Sequence, residues 1–540
     1  MLSEDHSPAV AADSGKSLRH AVYAVMIAAA AGIMLGRILA VDSIDYYRLE
    51  AERRKQIEPE LARRTAEMRA AGRSEQEIAQ KIAQVREDLE QKSQLSRPFL
   101  SGNDRSRWCT LRALVEPDLR VPGAPYAIDR VIQQPNWDTI DMVKHDRRYQ
   151  PPEEPSPQLK PGDRIRDWDG RQVGGHLYSS KPPLYPTLLA GVYWAVHKAT
   201  GETLGSQPYL IGRTILIISQ WLPMLVYFVL LTRLIDSFGA TDWGRMFAAA
   251  AGIFGTFLTT FSTVLNNHLP AAVCVLIALY AWVQIERTGR RHWGWFATAG
   301  FFAALAVANE LPAAAWAAAV MAALFYRAWK PALCAFVPAA AIVGIAFFAT
   351  NWIAHRTLIP PYAQRTAEGG WYNYTYIRQG RVIESYWLNP VGVDQGEPHW
   401  PTYALHVLVG HHGIFSLQPI WLLAVVGLGF GLSRQLPINQ RLIAAAIVLV
   451  SLVCIAFYLA QPVPNRNYGG MTCGLRWLFW FSPLWTLALV PAADACAPRR
   501  WLRGIAYVLL TVSVLSVSYP TWNPWTHPWL TNAMAYWGLL

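Results

Sequence analysis

The chain has 540 residues, of which 53% are hydrophobic and 16% are charged, against about 25% charged in soluble domains, so its composition excludes an ordinary soluble enzyme. Its formal net charge of +11 does not indicate nucleic-acid binding, because much of the positive charge lies in short linkers between apolar runs, where it sets membrane orientation. The six cysteines are scattered, and their spacing excludes the common CxxC and Cys/His metal sites.

The N-terminal segment predicts a cytoplasmic tail, residues 1–17, followed by a first transmembrane helix, residues 18–41. This apolar run is too long for the hydrophobic region of a cleavable signal peptide. It is also followed by Asp42 and Asp45 rather than by a small-residue cleavage site. Lys16, Arg19 and His20 precede the run and favour a cytoplasmic start.

Residues 42–100 differ in composition and are rich in Glu, Arg, Lys, Gln and Ala. Two sets of apolar residues follow helical spacing there, namely Ile57, Leu61 and Met68, and then Ile78, Ile82, Val85 and Leu89. The pattern predicts a charged extracytoplasmic helical hairpin that turns near Gly72. Two interpretations stay open: an exposed spacer or oligomerisation helix, and an arm that docks a partner.

Residues 101–182 are mixed, polar and proline-rich, so they cannot span lipid. We predict an extracytoplasmic catalytic loop of short helices and turns lying over the membrane face. Its acidic residues include Asp104, Asp129, Asp138, Asp141 and Asp146.

The remainder predicts a membrane helical core at 183–351, an extracytoplasmic loop at 352–413, C-terminal transmembrane helices at 414–518 and an extracytoplasmic aromatic tail at 519–540. The firm apolar runs are 209–232, 243–264, 269–286, 293–309, 311–328, 331–351, 414–432, 441–460, 476–496 and 501–518. The basic linkers between them, such as 286–291 and 498–500, are predicted to be cytoplasmic. The sequence therefore predicts an all-α polytopic membrane protein with about 11–13 transmembrane helices.

The short apolar run at 183–198 poses a problem of parity. If this run crossed the bilayer fully, every later loop would lie on the side opposite to the one that its charge favours. We predict a partial or re-entrant helix. A full crossing compensated by a wrongly divided run elsewhere is the alternative.

The chemistry is predicted where an acid is accompanied by several cations. Asp104 lies beside Arg105 and Arg107, and Lys181 opens the apolar run at 183 on the same predicted side. A carboxylate can accept the proton of an attacking hydroxyl, and nearby cations can neutralise a departing phosphate. The alternatives are that Asp104 caps a helix and that Lys181 extends towards the lipid headgroups.

Further candidates lie at the predicted outer ends of other runs. Asn267, His268 and Glu310 are possible substrate-binding residues, and Glu310 could instead cap a helix. His411 and His412 could contact a phosphate or an acceptor, whereas a two-histidine metal site is not expected. Arg476 follows a glycine-rich turn that could bind phosphate through its N–H groups. The sequence leaves open whether Cys109 and Cys473 form a disulfide.

Two motifs resemble the GT-C superfamily of membrane glycosyltransferases, in particular the protein O-mannosyltransferase and lipid A aminoarabinose transferase-like group, family 39-like. Asn103-Asp104-Arg105-Ser106-Arg107-Trp108 stands where that group has an Asp-Glu pair, with Arg105 in place of the Glu. Ser180-Lys181-Pro182-Pro183-Leu184-Tyr185-Pro186 matches its Lys-Pro-Pro-Leu motif, and Gly212-Arg213 resembles the start of the next helix. The similarity covers mainly residues 100–330.

The resemblance implies a polyprenyl-phosphate-linked sugar donor, an inverting transfer to a hydroxyl, and Asp104 as the general base. It also implies that Lys181, Arg213 and Arg476 contact the donor phosphate, with Arg105 and Arg107 beside them. The acceptor is expected to be lipid, glycan or protein, and the protein to lie in a bacterial inner membrane with its site facing the periplasm. We predict no metal ligand among the site residues, and whether a divalent cation takes part stays open. The competing hypotheses are a transporter or flippase for an anionic lipid and a non-enzymatic scaffold.

Overall fold

The computed structural model describes residues 8–43, 46–93, 97–145, 160–163, 175–289, 292–365 and 370–540. The protein is mostly helical, with 70% of its residues in helices and little sheet. Asp146 of the predicted loop and Arg290 and Arg291 of a predicted cytoplasmic linker lie outside the described residues.

The α-helices are α1 Pro8–Leu39, α2 Tyr46–Ala70, α3 Glu75–Ser93, α4 Gly102–Val115, α5 Asp129–Ile132, α6 Leu184–Thr200, α7 Pro208–Leu216, α8 Leu222–Phe238, α9 Asp242–Phe254, α10 His268–Arg287, α11 Trp293–Asn309, α12 Ala314–Pro331, α13 Val337–His355, α14 Trp400–Leu408, α15 Ile414–Leu417, α16 Trp421–Gly431, α17 Ile438–Leu459, α18 Ser482–Cys496, α19 Arg500–Ser518 and α20 Trp529–Tyr536. The strands are β1 Met142–His145, β2 His176–Ser179, β3 Thr375–Arg378 and β4 Arg381–Glu384. β1 pairs with β2 and β3 with β4, both antiparallel.

Seven helices within the described ranges are long and apolar enough to cross a bilayer, which supports a multi-pass membrane protein. They are Gly15–Leu39, Pro208–Phe238, His268–Arg287, Leu311–His355, Ile438–Leu459, Arg476–Cys496 and Arg500–Ser518. The 45 residues of Leu311–His355 bend at Ala328, whose φ and ψ are −162° and 78°. At about 1.5 Å per residue they would extend about 67 Å, roughly twice the thickness of a bilayer core. This length fits the two predicted runs at 311–328 and 331–351, while the total of 11–13 crossings stays a prediction.

Two predicted runs are not continuous helices. The run at 243–264 stops being α-helical after Phe254, where Gly255 begins a buried stretch rich in threonine. Its hydroxyls donate to backbone carbonyls of the same stretch, as Ser262 Oγ does to Thr259 O at 2.6 Å, so they satisfy backbone groups that a continuous helix would have paired internally. The run at 414–432 is interrupted before Trp421, because Pro419 has no N–H to donate.

The helical hairpin is confirmed. α2 and α3 pack against each other and turn at Gly72, whose φ of +72° lies in the left-handed region that glycine adopts without strain. Ile57, Leu61 and Ile78 form its buried seam, while ion pairs such as Arg86 with Glu58 lie on its exposed faces. Its side of the membrane stays a prediction.

The first polar loop folds onto the helices as a layer with its own core. α4 is buried along almost its whole length and packs on α6, α5 and β2. Trp108 of α4 stacks on Phe99, with ring centroids 4.4 Å apart. Cys109 and Cys473 are both buried and free, so the disulfide that the sequence left open is absent. Cys109 Sγ instead contacts the carbonyl of Trp137 at 3.4 Å.

Candidate active site

A buried carboxylate and an ammonium meet at the end of the β1–β2 sheet. The antiparallel register pairs Met142 with Ser179, so the residue before β1 faces the residue after β2. Ser180 N donates to Asp141 O at 3.1 Å, and Ser180 Oγ donates to Asp141 Oδ1 at 3.2 Å. Lys181 Nζ donates to the same Oδ1 at 3.2 Å. Backbone pairing therefore holds Asp141 and Lys181 together although 40 positions separate them.

Arg107 extends from α4 into the same region. Its side chain is 3% exposed overall, with Nη1 donating to Asn103 Oδ1 at 2.8 Å and Nη2 to Asn267 Oδ1. Burial lowers the pKa of Arg107 to about 10, with the nearby positive charge of Arg476 acting in the same direction. Arg107 is therefore a buried cation held by amides, close to a second cation.

Arg476 approaches from the end of the glycine-rich turn. Its Nε donates to Gly469 O at 2.7 Å, and its Nη1 lies 3.0 Å from His268 Nε2. A guanidinium can only donate, so His268 Nε2 must accept and its Nδ1 carries the proton towards Glu310, with which it is paired. The guanidinium also lies over the ring of Trp525, 5.0 Å from its centroid.

Asn267 links the two arginines through Glu310. Its Nδ2 donates to Glu310 Oε1 at 2.6 Å and to Asn309 O at 2.9 Å, while its Oδ1 accepts from Arg107. The result is a chain of contacts from Arg107 through Asn267, Glu310 and His268 to Arg476. Within the described ranges, neither Arg107 nor Arg476 forms an ion pair with a carboxylate.

The loop at 352–413 covers this cluster and adds an acid that sequence reasoning missed. Asp394 Oδ2 accepts from Tyr386 OH at 3.0 Å, and Asp394 Oδ1 accepts from Asn467 Nδ2 at 3.3 Å. Burial raises the pKa of Asp394, and the negative charge of Asp141 raises it further. Asp394 therefore lies near enough to Asp141 for the two carboxylates to repel each other.

Arg365 is a second contribution of this loop that the sequence did not reveal. Its guanidinium lies 4.5 Å from the ring centroid of Trp387, whose Nε1 donates to Ile140 O at 3.0 Å. Arg365 also lies within electrostatic range of Asp141 and Asp394. Local patterns in the sequence cannot join Arg365 or Asp394 to Asp141, because Asp141 lies in a different loop far earlier in the chain.

The charges fix the resting state of the Asp141–Lys181 pair. Burial alone would raise the pKa of Asp141, but Lys181, Arg476 and Arg107 outweigh it and hold the pKa below its ordinary value. Burial lowers the pKa of Lys181 to about 8, partly offset by Asp141. At neutral pH the site therefore contains an ionised Asp141 surrounded by an excess of positive charge.

Asp104, the predicted base, lies within electrostatic range of Arg107, but among the described residues no hydrogen bond or ion pair joins its carboxylate to the charged side chains of the cluster. Its Oδ1 accepts from Trp108 Nε1 at 2.8 Å and from Leu265 N at 2.9 Å, and its Oδ2 accepts from Leu100 N at 3.4 Å. The residue is 1% exposed, and burial raises the pKa of Asp104 to about 6. The alternative role as N-cap is wrong, because Ser101 caps α4 and accepts from Asp104 N. Its contacts make Asp104 a buried link between α4 and the segment before α10.

Two predicted phosphate ligands make other contacts. Arg105 donates through Nε to Asp138 O at 2.8 Å and through Nη1 to Pro98 O at 3.3 Å. Arg213 donates through Nη2 to Val41 O at 2.6 Å and lies over the ring of Tyr209. In the part of the chain that the structure describes, neither residue contacts the cluster, because each is used to hold a backbone segment in place.

His411 and His412 belong to a separate buried group with His406 and Tyr468. The rings of His406 and His411 stack at 3.9 Å, and Tyr468 stacks on His412 at 5.1 Å. Burial lowers the pKa of His411 to about 3, so these rings are uncharged at neutral pH. No group of three His, Cys, Asp or Glu residues among those described is placed to hold a metal ion, and the question of a divalent cation stays open.

The chain matches no known protein-family model and no curated protein.

The contacts of Asp104 predict a structural effect on substitution. Asp104→Ala should lower the free energy of unfolding by about 1–3 kcal/mol for each buried donor left unpaired, here Trp108 Nε1 and Leu265 N. Thermal unfolding in detergent would measure this, with the exposed Asp118→Ala as the control, expected within about 0.5 kcal/mol of the native chain. An Asp104→Ala protein of native stability would contradict the structural role.

Proposed function

We propose that the protein is an integral-membrane glycosyltransferase that transfers a sugar from a polyprenyl-phosphate donor to a hydroxyl acceptor. The observation that carries the proposal is the pair of arginines beside Lys181, the buried Arg107 and the half-buried Arg476, neither of which has a carboxylate partner among the described residues. Buried cations are normally paired, so such an arrangement favours an anionic ligand. A phosphate that leaves during the reaction is the ligand that such a site would stabilise most in the transition state.

The proposed reaction is a single displacement. The acceptor oxygen attacks the anomeric carbon while the bond from that carbon to the phosphate oxygen breaks. The electron pair of the breaking bond stays on the polyprenyl phosphate, whose added charge Arg107, Arg476 and Lys181 would neutralise. The acceptor's proton passes to a carboxylate. One displacement inverts the configuration at the anomeric carbon, as the resemblance implies.

Asp141 is the carboxylate that we propose as the base, in place of Asp104. It lies 3.2 Å from the ammonium that would hold the phosphate, so it can reach a hydroxyl that attacks next to that phosphate. Asp104 is 1% exposed, and its carboxylate already accepts hydrogen bonds from three protein donors, so it is less available to an acceptor hydroxyl. Asp394 is less suited to the role, because its carboxylate is occupied by Tyr386 OH and Asn467 Nδ2 and has no contact with Lys181 among the described residues.

The location of the cluster favours an enzyme over a transporter. Asn267 and His268 open α10, Glu310 follows α11, and Arg476 begins the predicted span Arg476–Cys496, so the polar groups lie at helix ends. Transporter sites typically lie near the middle of the bilayer, at interrupted helices. We propose that these ends face the periplasm of a bacterial inner membrane, as the basic linkers predict.

The test compares cells that lack the gene with cells that express either the native protein or Asp141→Asn. Mass spectrometry of lipid-linked sugars and envelope glycans should show an accumulated polyprenyl-phosphate sugar and a missing glycan in the deletion strain. The native protein should restore the glycan, and Asp141→Asn should not. Unchanged glycans and donors in all strains would contradict the proposal. Uptake of a lipid-linked sugar by vesicles without a covalent product would identify the transporter instead.

A further inference from the structure

The two members of the Asp141–Lys181 pair differ in how firmly they are held. The main chain of Asp141 is fixed on both sides: its carbonyl accepts from Ser106 Oγ at 2.6 Å and from Ser180 N, and its N–H donates to Thr139 Oγ1 at 3.2 Å. The carboxylate therefore has little freedom to move. The main chain of Lys181 is held where its N–H donates to Ser179 Oγ at 3.2 Å, and its ammonium is held by the contact with Asp141. Its four-carbon side chain is flexible.

Lys181 is also close to positive charges that would attract a phosphate. Arg107 and Arg476 both act on its ammonium, and among the described residues Asp141 is the one carboxylate that pairs with it. A phosphate between the two arginines would offer Lys181 a second anion. A charge-assisted hydrogen bond to phosphate is among the stronger contacts that a lysine can make.

We propose that Lys181 is a donor-controlled switch, which neutralises Asp141 in the resting protein and releases it as a base when a donor phosphate takes the ammonium. The inference rests on the proposed function and adds the order of events. Before the donor binds, Asp141 is paired and is a poor proton acceptor. Once Lys181 turns to the phosphate, Asp141 loses its closest cation and can accept the proton of the acceptor hydroxyl.

The switch also describes how the site resets. The transfer step moves the acceptor proton to Asp141 and leaves the polyprenyl phosphate with one more negative charge, so Lys181 stays with the phosphate. When the polyprenyl phosphate departs, the proton leaves Asp141 for water and Lys181 pairs with the carboxylate again. Because the base is paired whenever the donor is absent, the site does not activate a hydroxyl without a sugar to transfer.

The other groups around Asp141 do not provide the same control. The charged ones are Arg107 from α4, Arg476 from the turn before α18, and Arg365 and Asp394 from the covering loop. The phenols of Tyr372, Tyr374 and Tyr386 also face it, and burial raises the pKa of each, so they stay neutral. Arg107 and Arg476 are held by amide, carbonyl and imidazole partners, whereas Lys181 pairs directly with Asp141.

Proton uptake on phosphate binding tests the switch without any sugar transfer. The probe is farnesyl methyl phosphodiester, whose single negative charge does not change between pH 5 and 8. Isothermal titration of the protein in lipid nanodiscs at pH 5.5, in buffers of different ionisation enthalpy, counts the protons taken up for each probe bound. The native protein should take up a measurable fraction of a proton, because Asp141 gains proton affinity when Lys181 leaves it.

Variants locate the proton. Asp141→Asn should bind the probe with no uptake, and Lys181→Met should bind it about 10- to 100-fold more weakly, also with no uptake. Lys144→Met, which alters another lysine of the same sheet, should behave like the native protein. Binding without uptake in the native protein, or uptake that persists in Asp141→Asn, would overturn the switch and leave the proposed transferase standing. Failure of the native protein to bind the probe would overturn the phosphate site and the proposed function with it.

Discussion

Asp141→Asn should lower the turnover number for sugar transfer by about 10²- to 10⁴-fold, the usual contribution of a positioned general base. Asparagine can still accept the hydrogen bonds of Ser180 Oγ and Lys181 Nζ, so the sheet end should keep its geometry. It cannot accept the acceptor's proton. Because Lys181 would lose its anionic partner, the site would become more positive, and the KM for the donor should stay equal or fall. Initial rates at varied donor concentration measure both quantities.

The matched control is Asp104→Asn. Its carbonyl oxygen can still accept from Trp108 Nε1 and Leu265 N, so we expect activity within about tenfold of native and a modest loss of stability. The pair of variants separates the base proposed from the structure from the base implied by the sequence resemblance. An inactive Asp104→Asn protein beside an active Asp141→Asn protein would return the catalytic role to Asp104.

The membrane class and several site residues could be predicted from the sequence because their signals are local. Apolar runs, the seam of the charged hairpin and Gly72 all depend on residues close in the chain. Lys181, Asn267, His268, Glu310 and Arg476 were singled out at the ends of apolar runs and Arg107 in the first polar loop, and the structure brings all six together. The topology prediction placed all of them on one side of the membrane, so it grouped them on one face of the protein.

The proposal of Asp141 in place of Asp104 as the base could not be made from the sequence, because it depends on pairing between distant strands. β1 and β2 have four residues each, and their register, which brings Asp141 to Lys181, has no marker in either segment. For Asp104 the local pattern was misleading. Ser101 is the N-cap of α4, so the helix begins earlier than the turn-like pair Gly102-Asn103 indicates. Because of this start, the side chain of Asp104 points inward, towards Trp108 and Leu265.

Arg107→Gln and Arg476→Gln should each lower the rate of sugar transfer by about 10²- to 10³-fold, the effect of removing one donor to a developing anion. Each glutamine keeps an amide that can donate to Asn267 Oδ1 or to Gly469 O, so the local hydrogen bonds can be preserved. Because both arginines lie near the same phosphate, the effects should not add, and the double variant should lose less than the product of the two single losses.

The same variants should not destabilise the protein. The positive charge of Arg476 helps to lower the pKa of Arg107, which means that the two buried cations repel each other when no ligand is bound. Removing one charge relieves that repulsion and the cost of burying a guanidinium, which offsets the lost attraction to Asp141, so the thermal unfolding temperature should stay close to the native value. Arg130→Gln, an exposed arginine of the same loop, should change neither activity nor stability. If Arg107→Gln instead unfolded at a clearly lower temperature and kept its activity, the pair would be part of the scaffold, and the anion site on which the proposed reaction depends would be lost.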